Sequence, residues 1–159
     1  MKIIILTVGK IKEKFFNDAI AEYSKRLSRY CKLEIVEVKD EKTMENPTEA
    51  EKNIVLQKEA ERLEKNIDDD SFVISLEING KQLDSVELSK KMENLFSTGK
   101  SKIVFVIGGS LGLHDSITKR ADYHLSFSKM TFPHQLMRVI LLEQIYRSFR
   151  IMSNEPYHK

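Results

Sequence analysis

The sequence has few of the residue patterns that announce a function by themselves. It holds one cysteine, Cys31, so no internal disulfide can form and a reducing compartment is expected. Cys31 itself reads as a small buried apolar residue. The longest apolar runs, such as Ile3 to Val8 and Val139 to Leu142, fall far short of the roughly 20 residues that span a bilayer. Met1-Lys2 leads directly into a strand-like run with no small-residue cleavage site, so no secretory leader and a cytoplasmic location are expected. Internal repeats and low-complexity segments are missing. So are C-x-x-C, H-E-x-x-H and G-x-S-x-G, which excludes the commonest thiol, zinc and serine chemistries. His114, His124 and His134 stand ten residues apart, a spacing with no ligand meaning, and no metal is expected. The triplet Asp68-Asp69-Asp70 sits in a polar turn, where carboxylates are solvated.

What is present is an ordinary globular balance, 41% apolar and 31% charged over 159 residues, enough for one domain with one substantial core. The net charge of +2 is unevenly spread. Residues 100–159 carry nine Lys/Arg against four Asp/Glu, and residues 1–99 carry 17 against 20. A polyanion would therefore be met by the C-terminal third.

Periodicity predicts five strands alternating with five helices. Lys2 to Val8 is an unbroken β-branched run stopping at Gly9, a buried strand. Leu33 to Val38 alternates apolar with acidic residues, as an edge strand does. Ser71 to Ile78 ends at an Asn79-Gly80 turn, Lys102 to Ile107 is a central strand, and Tyr123 to Phe127 is a short last one. Helices are predicted over 13–30, 48–66, 85–97 (with Ser85 as N-cap), 115–121 and from Pro133 to about Met152. Lys39 to Pro47 is a charged loop. The pattern is that of an α/β fold with a mainly parallel sheet of five to six strands and helices on both faces. The last helix is apolar nearly all round, so it needs cover on two sides, and a homodimer would supply the second cover.

In an open parallel sheet, ligands bind beyond the carboxyl ends of strands. Three segments qualify: Leu76 to Lys81, Gly108 to Leu113, and Phe127 to Pro133. The glycine turn admits close backbone approach, although a tight strand-to-helix turn explains it equally well. The Phe127 to Pro133 loop can clasp a flat, partly apolar ligand or be a packed helix-entry loop. Arg147 and Arg150 share a helix face with Glu143, as a surface ion pair or as an RNA contact.

Four stretches together resemble the ribosomal RNA large subunit methyltransferase H family of the SPOUT, or α/β-knot, superfamily. They are the opening Ile-Leu-Thr-Val-Gly-Lys, Val104 to Leu113, Leu125 to Arg138, and the closing Glu155-Pro156-Tyr157-His158-Lys159. The resemblance covers the whole chain, 1–159, as a single domain, and implies a C-terminal trefoil knot. It also implies S-adenosylmethionine-dependent methylation of N3 of a pseudouridine in large-subunit ribosomal RNA, by a homodimer acting on the assembled ribosome. Leu76, Gly108, Phe127, Ser128, Lys129, Met130, Thr131 and Phe132 are the implied cofactor residues. The tail, 153–159, is expected to complete the active site, with His158 as acid/base and Tyr157, Arg147 or Arg150 orienting the base or its phosphate. Another α/β-knot enzyme, acting for instance on tRNA ribose, and a non-catalytic dimeric RNA-binding module are the competing readings.

Overall fold

The computed structural model describes residues 1–159. The chain alternates β1 (Lys2–Val8), α1 (Lys14–Leu27), β2 (Lys32–Val38), α2 (Glu49–Glu64), β3 (Phe72–Gln82), α3 (Ser85–Ser97), β4 (Lys102–Ile107), α4 (Asp115–Arg120), β5 (Tyr123–Ser126) and α5 (His134–Met152). The five strands form one sheet in the order β2-β1-β4-β3-β5, and every neighbouring pair is parallel. No helix is long and apolar enough to cross a membrane.

The continuous apolar runs have a direct structural cause, since alternate side chains of one strand feed two cores. Ile3, Ile5 and Phe105 point to the face covered by α1, α3 and α5, where they meet Leu27, Met92, Leu141, Leu142 and Phe149. Ile4, Leu6, Val104 and Val106 point to the other face, against Ala60 and Leu63 of α2 and Ile117 of α4. Each such side chain contributes about 1.5–3 kcal/mol on burial. Glu34 and Glu37 project from β2, which is indeed an edge strand. On α5, Leu141, Leu142 and Ile145 are buried, whereas Leu136, Val139 and Ile140 stay partly exposed.

Several local expectations are corrected. Asp84, not Ser85, caps α3: its carboxylate accepts from the Glu87 N–H at 2.7 Å, and Glu87 accepts from the Asp84 N–H at 2.7 Å. This reciprocal box outcompetes the hydroxyl, and Ser85 instead donates to Gln144 of α5 at 2.7 Å. Pro133 is the N-cap of α5 rather than its first turn. Periodicity puts Phe15 and Ile54 among the apolar positions of the first two helices, yet both face outward and are 66% and 52% exposed. Asn79-Gly80 does not end β3. Leu76 and Lys81 both lie opposite Leu125, so residues 77–80 bulge out between two stretches of pairing with β5. A Cβ on Gly80 would sit 2.8 Å from the His124 carbonyl oxygen, so this close crossing requires glycine.

Cys31 is partly buried and packs on the larger core. Burial pushes its thiol up to about 11. At pH 8 its thiolate is then roughly 100-fold scarcer than that of an exposed cysteine. Iodoacetamide is expected to alkylate it slower by that factor in the folded chain and at the ordinary rate after unfolding. Equal rates in both states would contradict the burial.

Candidate active site

The carboxyl ends of β3, β4 and β5 open onto one cleft, walled by Leu76, Ile78, Gly108, Phe127, Phe132 and Met137 among others. All three rim segments singled out from the sequence meet there. The cleft has a volume of about 180 Å³ and is open to solvent on one side. Its floor is the turn after β4. Gly112 has φ +86° and donates its N–H to the Gly109 carbonyl at 3.1 Å, folding the turn back on itself. A Cβ on Gly108 would lie 2.6 Å from the Gly112 carbonyl carbon, and one on Gly109 would lie 3.2 Å from Val8 Cγ1. The segment is thus both the tight turn and the wall of a cleft.

The third wall is held by hydroxyls. Ser126 donates to the Ile78 carbonyl at 2.8 Å, binding the end of β5 to the β3 bulge. Ser128 Oγ accepts from the Met130 N–H at 3.0 Å. Of the eight expected cofactor residues, Leu76, Gly108, Phe127, Ser128, Met130, Thr131 and Phe132 line the cleft, whereas Lys129 is exposed and off its wall. Met130 is 73% exposed at the mouth. Glu77, Ile78 and Ser110, which belong to the rim segments, also line it, as do His134 and Met137, which lie beyond them. His134 and Met137 share a face of the first turn of α5, and that helix following the rim loop was their only signal. Burial and then the nearby Arg138 guanidinium hold the His134 imidazole below its usual range, which favours the neutral ring. The other two spaced histidines lie elsewhere: His114 caps α4, and His124 contacts Glu77.

The four tail-side candidates form a second cluster. Glu143 accepts from Arg147 Nη2 at 2.8 Å and from the Tyr157 hydroxyl at 2.9 Å. Arg147 Nη1 donates to His158 Nδ1 at 3.3 Å, and its guanidinium lies over the Tyr157 ring. Burial and the Glu143 hydrogen bond raise the Tyr157 phenol above its usual value, so it acts as a donor rather than a base. Arg150 pairs with Glu155 and donates to the Pro156 carbonyl at 3.2 Å, which ties the tail to α5. Arg147 follows His134 by 13 residues on one helix, and 1.5 Å per residue separates the two by about 20 Å. Within one chain the tail cluster and the cleft do not meet.

An all-parallel α/β sheet whose last loops and helix build a glycine-floored cleft is the architecture of SPOUT-class methyltransferases, and the model of the family described as "Predicted SPOUT methyltransferase" matches residues 1–158. Proteins named ribosomal RNA large subunit methyltransferase H are similar to the chain over their full lengths. That of Bifidobacterium adolescentis is 63% identical, and that of Clostridium botulinum strain Kyoto is 60% identical, each over 159 residues and 100% of both chains. A solved structure of a "probable methylase family protein" from Haemophilus influenzae shares the fold, with a TM-score of 0.52 and 15% identity, over 99% of this chain and 70% of that one. The chain belongs to the ribosomal RNA large subunit methyltransferase H family of SPOUT methyltransferases.

Proposed function

We propose that the protein transfers a methyl group from S-adenosylmethionine to N3 of a pseudouridine in large-subunit ribosomal RNA. It does so as a cytoplasmic homodimer on the assembled ribosome. The observation that carries the donor site is the convergence of three strand-end loops on one cleft, where a Cβ on Gly108 would run into the Gly112 backbone. The lining suits such a donor. Leu76, Ile78, Phe127 and Phe132 offer apolar surface to a flat heterocycle, and Ser128, Thr131 and backbone groups offer polar contacts. The donor, when bound, supplies a carbon already activated by a sulfonium. The chain's own work is positioning and proton handling.

The imide N3–H must lose its proton for attack. His158 is our choice to accept it: Arg147 Nη1 donates to Nδ1 at 3.3 Å, so the ring's lone pair is on Nδ1 and its proton on Nε2, and Nδ1 takes the imide proton once the Arg147 contact opens. Glu143 fixes the Arg147 guanidinium, whose charge would steady the anion that develops on the base. Tyr157 stacks edge-on against Tyr146 at 5.0 Å and orients the tail. The separation of about 20 Å along α5 supports a composite site, with one protomer's tail serving its partner's cleft. The partly exposed Leu136, Val139 and Ile140 support a dimer face on α5. The knot is part of the same reading, supported by the Gly80 crossing against β5.

Mass spectrometry of large-subunit rRNA from cells with and without the protein tests the reaction. A methyl group present in both would refute it. His158→Ala is expected to lower kcat about 100-fold or more and to leave S-adenosylmethionine affinity, read by calorimetry, unchanged. A heterodimer of a tail-deleted chain and a Gly108→Ala chain is expected to regain activity at one of its two sites. Failure to regain any would sink the composite site.

A further inference from the structure

A second cavity lies beside the donor cleft on the same rim of the sheet. It has about 780 Å³ and is walled by the segments that follow β1 and β2, residues 8–13 and 37–41, with Glu59 of α2. It shares Gly109, Ser110 and His134 with the cleft. Val8 and Val38 are its only apolar lining, so it does not suit an apolar ligand.

Its charge follows from which groups are already paired. Glu37 is bound by Arg138 at 2.6 Å, and Glu41 is bound by Arg62. Glu59 is 5% exposed and accepts the Glu41 N–H at 3.0 Å, and burial raises its carboxyl towards the neutral form. Lys10, Lys12 and Lys39 enter no ion pair and are exposed at the mouth, against the unpaired Glu13 and Asp40. Once the paired acids are discounted, three free lysines at the mouth face Glu13 and Asp40, with Glu59 a third unpaired carboxyl on the inner wall.

The walls are held from beneath. Arg138, 1% exposed, donates to the carbonyls of Val8 at 3.2 Å and Gly9 at 2.7 Å as well as to Glu37. One guanidinium thus fastens the ends of β1 and β2 to the start of α5. Such a wall need not be ordered when a ligand arrives.

We infer that this cavity seats the acceptor nucleotide of the RNA, with Lys10, Lys12 and Lys39 holding its flanking phosphates. The inference deepens the methyl-transfer reading and rests on it. In-line transfer requires an acceptor on the far side of the moving carbon, in a space contiguous with the donor's and not shared with it. Two cavities divided by Gly109, Ser110 and His134 meet that condition. Polar walls with both donors and acceptors suit a base edge, and unpaired lysines suit phosphodiesters.

The test compares the triple variant Lys10→Ala/Lys12→Ala/Lys39→Ala with the native chain for affinity to large-subunit ribosomal particles at several salt concentrations. Donor affinity is measured alongside by calorimetry. Particle affinity is expected to fall about 30-fold, and the slope of log affinity against log salt to drop by roughly 2 to 3, since each lost phosphate contact removes about 0.7–0.9. Donor affinity and melting temperature stay unchanged, and arginine at all three positions restores the slope. Lys81→Ala/Lys119→Ala, on the far side of the β3 bulge, is the control for general charge and leaves particle affinity within twofold. Unchanged affinity and slope in the triple variant would overturn the inference. Loss of dimerisation without loss of particle binding would also do so, because the occupant would then be the partner protomer. If the native chain binds particles through these lysines but never binds the methyl donor, the methyl-transfer reading fails and the acceptor role of the cavity with it, while the lysine–phosphate contacts stand.

Discussion

Gly108→Ala is expected to weaken S-adenosylmethionine binding by at least 100-fold, about 2.8 kcal/mol, while the chain stays folded. The added Cβ would lie 2.6 Å from the Gly112 carbonyl carbon and 3.1 Å from Leu113 Cδ2. The first neighbour is backbone and cannot rotate away. Gly112 is held at φ +86° and bridged to Gly109, so relief requires the whole turn to move. That turn is cleft wall on one side and second-cavity wall on the other. The sheet cores are built from Ile107 and the strand residues before it, and of residues 108–113 only Leu113 packs against them. Calorimetry with S-adenosylmethionine and S-adenosylhomocysteine reads the loss, and a thermal melt checks the fold. Donor affinity within threefold of the native chain would show that the turn is no part of the donor site.

Arg138→Met should cost about 3 kcal/mol of stability and lower the melting temperature by roughly 6–12 °C. Methionine matches the stem of the side chain but leaves the Val8 and Gly9 carbonyls and Glu37 without their donors. The Glu37 side chain is 34% exposed and water can take over part of its role, which places the cost at the lower end of the range for breaking a buried pair. Adding Glu37→Leu should recover only part of the loss, since the two carbonyls remain unpaired. A full recovery would place the whole cost on the carboxylate. A melt unchanged by Arg138→Met would show that the clamp is dispensable.

The loops of the cleft were legible because they obey a positional rule. Ligands of open parallel sheets gather beyond strand ends, and glycine and phenylalanine mark those ends at Gly108 and Phe127. His134 and Met137 escaped it, because they belong to the helix after the rim loop and no local pattern separates them from ordinary helix residues. Ser85 was misread because hydroxyls and carboxylates compete for the same cap, and the winner depends on Glu87 returning the bond. Glu59 reads as one more solvated acid in a charged helix, yet it is buried against the loop after β2.

The sequence by itself determined that there are five strands and five helices, which strands are covered on both faces, and which loops stand at the ligand-binding rim. Those properties follow from periodicity and residue size, read over a few neighbours at a time. Tertiary structure alone decided that β4 inserts between β1 and β3, and that Arg138 clamps two strand ends more than 100 positions away in sequence. It also decided that the tail cluster shares no residue with its own cleft and that two cavities share one glycine wall. Strand order and cavity walls arise from contacts between distant segments, and no one-dimensional pattern encodes which distant segments will touch.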